Sequence, residues 1–137
     1  MRVLHLHCNS FTYRVTKETP VAEQPPYPKE GSYDNVLVCL TCYEKSDEGR
    51  EQEIVKAYVE NVKTDTGRIG CKSVLIYPYA HLSSSLGSPR KAKVFLSGLA
   101  DALGAEGLDV HRSPFGWYKA FTLNCIGHPL AEAYREY

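Results

Sequence analysis

NVLVCLTCYE, which runs from Asn35 to Glu44, decides the class of fold that this sequence can adopt. The residues from Val36 to Leu40 are all apolar and lack the apolar–polar alternation of a strand with one face in water. Such a run is typical of a central strand that is covered on both faces. We therefore predict a buried strand over Asn35–Tyr43, with helices packed against its sheet.

The same stretch carries Cys39 and Cys42 at the spacing of a CxxC motif. Residues three apart on a strand point to opposite faces, with Cα atoms about 10 Å apart. This separation is too long for a disulfide and unsuited to a shared zinc ion. The chain has five cysteines, an odd number, and no secretion signal, so reduced thiols are expected.

Strand and helix patterns flank the central strand on both sides. Upstream, Met1–His7 and Phe11–Val15 favour a strand hairpin that turns at residues 8–10, followed by an exposed proline-rich loop over 17–34. Downstream, the predicted elements are a helix over Glu51–Val62, a strand over Ser73–Tyr77, a helix from Ser88–Pro89 to Gly104 or Gly107, strands over 108–112 and 117–126, and a helix beginning within 128–137. The order βββ-α-β-α-ββ-α predicts an α/β fold, a mixed β-sheet with helices packed on one or both faces.

The composition limits the classes of function. The chain has 137 residues with 16 basic and 16 acidic side chains, which predicts a single domain over 1–137 without a basic field for a long nucleic acid. No apolar run approaches the ~18 residues of a membrane span, so a cytoplasmic protein without membrane contacts is expected. Because the chain ends inside a helical pattern, we expect it to be a domain excised from a longer protein.

Lys119 is the most informative candidate for chemistry. Strand alternation within Trp117–Cys125 places it on the same face as Phe121 and Leu123. A lysine among apolar side chains can find an anionic partner, extend to water at the strand end, or occupy a functional pocket with a lowered pKa. The sequence leaves these three interpretations open.

The stretch YPYAHLSSSLGSP, Tyr77–Pro89, is a second candidate region. His81 follows an apolar strand, and open α/β sheets bind ligands beyond the carboxyl ends of parallel strands; an ordinary surface histidine is the alternative. The serines at 83–85 lack the GxSxG elbow that presents a serine nucleophile, so covalent serine catalysis is not expected.

Other polar residues are weaker candidates. His5 and His7 share a strand face and could gather a metal with His81 or His128, but no carboxylate accompanies them, and we expect no metal. Glu132 lies in the predicted last helix, either as a ligand-binding residue or as an ordinary solvated one.

Four motifs occur together, in order, along the chain. They are MRVLHLHCN at 1–9, YPYAHLSS at 77–84, PFGWYKAF at 114–121 and GHPLAE at 127–132. In this order and at these separations they resemble the N-terminal editing domain of archaeal threonyl-tRNA synthetase. The resemblance implies a D-aminoacyl-tRNA deacylase-like fold, usually a homodimer, that hydrolyses L-serine wrongly esterified to threonine tRNA.

The resemblance also implies roles for individual residues. Lys119, Tyr118 and His81 match the catalytic positions, Pro78, Tyr79 and Ala80 match the backbone stretch that binds the terminal adenosine, and Glu132 matches an acidic substrate-binding residue. In that family a water molecule, assisted by the 2′-hydroxyl of the tRNA, is thought to cleave the ester, and no cofactor is required. A D-aminoacyl-tRNA deacylase, a non-catalytic domain for tRNA docking or dimerisation, and a zinc hydrolase built on the histidines remain alternatives.

Overall fold

A computed structural model describes all residues 1–137 as a six-stranded mixed sheet with two helices. The elements are β1 (Arg2–Glu18), β2 (Glu30–Cys42), α1 (Glu51–Ile69), β3 (Ser73–Pro78), α2 (Pro89–Ala105), β4 (Asp109–Arg112), β5 (Trp117–Cys125) and β6 (Glu132–Glu136). Short 3-10 helices occupy Lys45–Asp47 and Ala80–Leu82. The strand order is β4-β3-β2-β1-β5, and β6 also pairs with β1. The predicted mixed α/β class is confirmed.

Strand direction divides the sheet into two parts. β2, β3 and β4 run parallel to one another, joined by the crossover helices α1 and α2. β1 is antiparallel to β2, β5 and β6. The parallel part therefore presents three strand ends at one edge, where a sheet of this kind commonly binds ligands.

The two faces of the sheet are covered differently. Both helices pack on one face, where α1 contributes Ile54, Tyr58 and Val62, and α2 contributes Phe95, Leu99 and Leu103. The core on the other face consists of strand residues, including Phe11, Tyr13 and Tyr77. Cys39 belongs to the core on the helix side, and Cys42 points to the other face of the sheet, as predicted. All five cysteines are reduced.

The sheet curls strongly, as the contact between side chains of β3 and β5 shows. β2 and β1 lie between these strands, so a flat sheet would separate them by about 14 Å, three spacings of roughly 4.8 Å. The rings of Tyr77 on β3 and Phe121 on β5 nevertheless have centroids 5.8 Å apart. The curl buries the second core without a helix and brings β5 over the carboxyl end of β3.

The predicted hairpin at the start of the chain is wrong, because β1 is one continuous strand over Arg2–Glu18. The residues taken for a turn mark a shift in the pairing of β1 with β5, between Cys8 and Ser10, and a second shift follows between Val15 and Lys17. A β-bulge interrupts alternation in the sequence as a turn does, but it bends the strand instead of reversing it.

The predicted last helix is also wrong, because Glu132–Glu136 forms strand β6. Alanine, glutamate, leucine and arginine favour a helix locally, but β6 pairs with β1 from Arg2 to Leu6. Helix propensity differs among such residues by only about 0.5 kcal/mol each, so tertiary pairing overrides it.

Two other boundaries differ from the prediction. The proline-rich loop is shorter than predicted, over 19–29, because β1 and β2 extend into it. Helix α1 continues past Val62 to Ile69 and is capped by Gly70, whose φ of +66° is left-handed. Neither helix combines the length and apolar character that a membrane-spanning helix needs.

A buried ion pair joins β1, α1 and β6. His5 is 1% exposed, and its Nδ1 lies 2.9 Å from Asp65 Oδ2; Arg135 donates two hydrogen bonds of 2.7 Å to the same carboxylate. Burial alone would lower the pKa of His5, but the Cys39 sulfur and the Asp65 carboxylate raise it to about 9. The Asp65 carboxylate therefore favours the positive form of His5 in the folded state, against the effect of burial.

We expect Asp65→Asn to destabilise the domain in a pH-dependent way. Because the folded pKa of His5 is raised from 6.5 to about 9, its stabilisation is present below the unfolded value and is lost as pH rises through 9. Urea unfolding should show a loss of about 3 kcal/mol near pH 6 and a smaller loss near pH 10. Asp101→Asn, at an exposed position on α2, is the control, and an equal loss at both pH values would contradict this account.

Candidate functional site

A cavity of about 440 Å³ opens at the carboxyl ends of β2 and β3. Its floor is formed by Thr41 and Cys42 of β2 and by Tyr77 and Pro78 of β3. The start of α2 closes one side, and the turn between β4 and β5, with residues 19–21 behind it, closes the other. The cavity thus lies where the parallel strands β2 and β3 end, and the curl of the sheet brings β5 to the same place.

Lys119 extends from β5 into this cavity. Its Nζ donates hydrogen bonds to the carbonyl oxygens of Pro114, at 2.9 Å, and Trp117, at 3.2 Å, and lies 4.7 Å from the centre of the Tyr77 ring. Burial lowers the pKa of Lys119 to about 8, although the nearby Glu23 carboxylate acts in the opposite direction. The ammonium group is therefore oriented by carbonyl dipoles and an aromatic face, close to its titration point.

The turn before Lys119 is fixed by the loop that follows β1. Thr19 donates from both its N–H, at 3.1 Å, and its Oγ1, at 2.6 Å, to the carbonyl of Gly116. Gly116 has a φ of +74°, and a Cβ atom there would lie 2.7 Å from Ala22 Cα and 2.8 Å from the carbonyl oxygen of Val21. Only glycine combines this conformation with this close approach of two backbones.

The wall after β3 carries His81 on a 3-10 helix. The ring of His81 meets the ring of Tyr79 edge to face at 5.2 Å, and the imidazole is exposed to solvent. Two residues later, the Ser83 hydroxyl donates to the Glu44 carboxylate, which lies 3.3 Å from the α-amino group of Met1. The wall is therefore anchored to the start of the chain.

The cavity offers no activated thiol or hydroxyl nucleophile. Burial raises the pKa of the Cys42 thiol to about 11, so the thiol is neutral at physiological pH. The hydroxyl of Thr41 is hydrogen-bonded to that of Tyr58, and the hydroxyl of Thr19 donates to the carbonyl of Gly116. The serines at 83–85 do not line the cavity. No carboxylate lines the cavity, and Lys119 is its only lysine or arginine. The thiol and hydroxyl groups of the cavity are therefore not prepared for covalent catalysis.

Comparison with known proteins assigns the chain to a family. Residues 1–137, the whole chain, match the family described as the archaea-specific editing domain of threonyl-tRNA synthetase. The chain belongs to this family. An editing domain of this kind is a deacylase that acts on mischarged aminoacyl-tRNA.

Individual relatives agree with this assignment. A Threonine--tRNA ligase of Methanobrevibacter smithii is 47% identical over 136 residues, which are 98% of this chain and 22% of that protein. Proteins of the same name from Methanococcoides burtonii and Hyperthermus butylicus are each 40% identical, over 98% and 100% of this chain and 21% and 23% of their own lengths. The editing domain thus spans about a fifth of the length of the relatives that it matches.

The structure brings together most of the residues singled out in the sequence of this editing domain. Lys119, Tyr118 and His81 line the cavity, and so does the backbone stretch Pro78–Ala80. β2 and β4, the neighbours of β3, run parallel to it, which is the condition on which the prediction for His81 depended. Tyr118 is 58% exposed and lies at the rim.

Glu132 and the other histidines lie elsewhere. Glu132 is exposed on β6, opposite Leu6, and does not line the cavity; its substrate-binding role stays a prediction. His5 pairs with Asp65, whereas the Nδ1 of His7 lies 2.9 Å from Nε2 of His128. The structure therefore does not gather His5, His7 and His81 into a metal site.

Sequence reasoning missed the part of the editing domain that supports Lys119. Thr19, Val21 and Glu23 lie in the proline-rich loop that was taken for an exposed connection, yet they pack against the turn before β5. One available signal was Gly116, since a glycine directly before a strand can mark a close approach of another backbone.

We expect Gly116→Ala to destabilise the editing domain more than Gly107→Ala does. Both glycines have left-handed φ angles, +74° and +80°, but nothing lies within 4 Å of a Cβ atom built at Gly107. The backbone conformation alone should cost about 1 kcal/mol at each site, and the clash with Ala22 should add about 2 kcal/mol at Gly116. Urea unfolding of the two variants measures this difference, and equal losses would show that the two segments are not in tight contact.

Proposed function

We propose that this editing domain hydrolyses L-seryl-tRNA(Thr), with Lys119 as its central catalytic residue. The observation that carries the proposal is the oriented Lys119 ammonium group in a cavity without an activated thiol or hydroxyl. Such a site can orient a substrate and stabilise negative charge, but it has no prepared thiol or hydroxyl for an acyl-enzyme intermediate. Hydrolysis by water fits such a site, because the aminoacyl-tRNA ester carries a neighbouring 2′-hydroxyl that can assist the reaction.

The substrate follows from the limits of amino-acid recognition. Serine differs from threonine by one missing methyl group, which changes binding by only about 1–3 kcal/mol, so a synthetic site admits serine at a damaging rate. A second site that hydrolyses the smaller product corrects this error. Membership in the editing family of threonyl-tRNA synthetase makes seryl-tRNA(Thr) the substrate that needs such a site.

Water is the nucleophile that we propose. Its oxygen bonds to the ester carbonyl carbon, the bond from that carbon to the ribose oxygen breaks, and the proton released by the water passes to the departing ribose oxygen. The neighbouring 2′-hydroxyl of the terminal adenosine is placed to orient the water and to relay this proton. No carboxylate lines the cavity, which supports the proposal that the RNA takes this role.

The lining residues then have distinct roles. The Lys119 ammonium group orients the seryl group and stabilises the charge that develops on the carbonyl oxygen. Pro78–Ala80 present backbone groups to the terminal adenosine, while His81 and Tyr118 shape the two sides of the pocket. Binding of Glu132 to the substrate and assembly into a homodimer remain predictions from the family resemblance.

We expect Lys119→Met to lower the deacylation rate of L-seryl-tRNA(Thr) about 100-fold while the fold is retained, because an oriented charge at the reacting carbonyl is removed. Single-turnover hydrolysis with purified protein measures the rate, and circular dichroism checks the fold. Lys56→Met, at an exposed position on α1, is the matched control and should keep wild-type activity.

The same assay separates the proposal from its alternatives. L-threonyl-tRNA should be spared, whereas cleavage of only D-aminoacyl-tRNA would identify a D-aminoacyl-tRNA deacylase instead. Wild-type activity in Lys119→Met would overturn the assignment of Lys119, and the absence of any hydrolysis by the wild-type domain would indicate a docking function.

A further inference from the structure

One peptide group connects Lys119 to a carboxylate that does not line the cavity. The carbonyl oxygen of Pro114 accepts the 2.9 Å hydrogen bond from Lys119 Nζ. The N–H of the same peptide group, which belongs to Phe115, donates a 2.8 Å hydrogen bond to Glu23 Oε2. Glu23 and Lys119 therefore hydrogen-bond to the N–H and the carbonyl oxygen of the same peptide group.

Glu23 is itself fixed by contacts to the segment that carries this amide. Arg112 binds its carboxylate through both terminal nitrogens, at 2.9 Å and 2.5 Å. The main-chain N–H of Glu23 donates to the Phe115 carbonyl at 3.0 Å, and its carbonyl accepts from Trp117 Nε1 at 2.7 Å. Such a bidentate pair fixes orientation as well as charge, so the Glu23 carboxylate has little freedom to move.

We propose that Glu23 is a positioning residue for Lys119 and acts through the Pro114–Phe115 peptide group. The inference rests on the proposed function, in which Lys119 orients the seryl ester. The carboxylate fixes the plane of the amide, so the carbonyl oxygen of Pro114 points at the Lys119 ammonium group. It also polarises the amide, because hydrogen bonds in a chain strengthen one another.

The charges around the ammonium group agree with this role. Glu23 raises the pKa of Lys119 against the effect of burial. Burial alone would also raise the pKa of Glu23, but Arg112, the Phe115 N–H and the charge of Lys93 lower it, so Glu23 is ionised at neutral pH. Tyr77 is a further titratable neighbour, whose ring faces Nζ and whose hydroxyl is held neutral because burial raises its pKa.

Two substitutions that each remove one charge test the proposal, because they should shift the pKa of Lys119 in opposite directions. Glu23→Gln keeps an acceptor for the Phe115 N–H but removes the negative charge, whereas Arg112→Gln removes the positive charge and leaves the carboxylate. Glu53→Gln is the control, because it removes an exposed carboxylate of α1 that Arg50 binds at 2.8 Å.

The first measurement is independent of deacylation. The side-chain ε-carbon resonance of Lys119, in lysine-labelled protein and assigned by its loss in Lys119→Arg, reports the pKa of that lysine. We expect Glu23→Gln to lower this pKa by about half to one unit and Arg112→Gln to raise it, with no change in Glu53→Gln. An unchanged Lys119 titration in both site variants would overturn the proposal.

The second measurement is the hydrolysis of L-seryl-tRNA(Thr). We expect Glu23→Gln and Arg112→Gln each to lower kcat about tenfold with KM within about twofold of the wild-type value, because the orientation of Lys119 matters in the transition state. Wild-type kcat in a folded Glu23→Gln protein would contradict the proposal. If Glu23→Gln does not fold, Arg112→Gln decides by the same two readouts.

The two proposals fail in different ways. Wild-type activity in Lys119→Met would overturn the role of Lys119 in the reaction, while the titration would still show whether Glu23 governs that lysine. Loss of activity in Lys119→Met together with unchanged titrations in both site variants would leave the proposed function intact and remove Glu23 from it.

Discussion

The half-buried ammonium group of Lys119 is the constraint on which the site depends. Burial disfavours its charge, and no carboxylate touches it, so two carbonyl oxygens and the face of Tyr77 compensate for lost hydration. These groups must be held in place by other contacts. The loop after β1 supplies these contacts by packing against the turn before β5. A segment far from Lys119 in sequence thus has a structural role at the site.

The curl of the sheet makes this arrangement available. Parallel strands end at one edge of the sheet, and a flat sheet would leave β5 three strand spacings away from β3. The pairing of β1 with β5 shifts at two places, between Cys8 and Ser10 and between Val15 and Lys17, and such irregularities bend a strand. The cavity thus combines a ligand site at parallel strand ends with a lysine delivered by an antiparallel strand.

The sequence allowed prediction of the elements whose pattern is strong and local. The strand after Asn35 and the helix after Glu51 are confirmed, and His81 and Lys119 line one cavity, where their roles stay predictions. The bulge at Cys8–Ser10 and the strand β6 were mistaken because bulges imitate turns and pairing overrides propensity. The role of Glu23 could not be predicted, since it depends on a contact between residues 23 and 115 that leaves no periodic signal.

The most direct test of the account is the hydrolysis of L-seryl-tRNA(Thr) that carries either a normal or a 2′-deoxy terminal adenosine. The proposed mechanism gives assistance of the water to the RNA, because no carboxylate lines the cavity. Single-turnover rates should therefore fall about 100-fold with the deoxy substrate, while the two RNAs bind with equal affinity. Equal rates for the two substrates would contradict the account, because the protein itself would then have to activate the water.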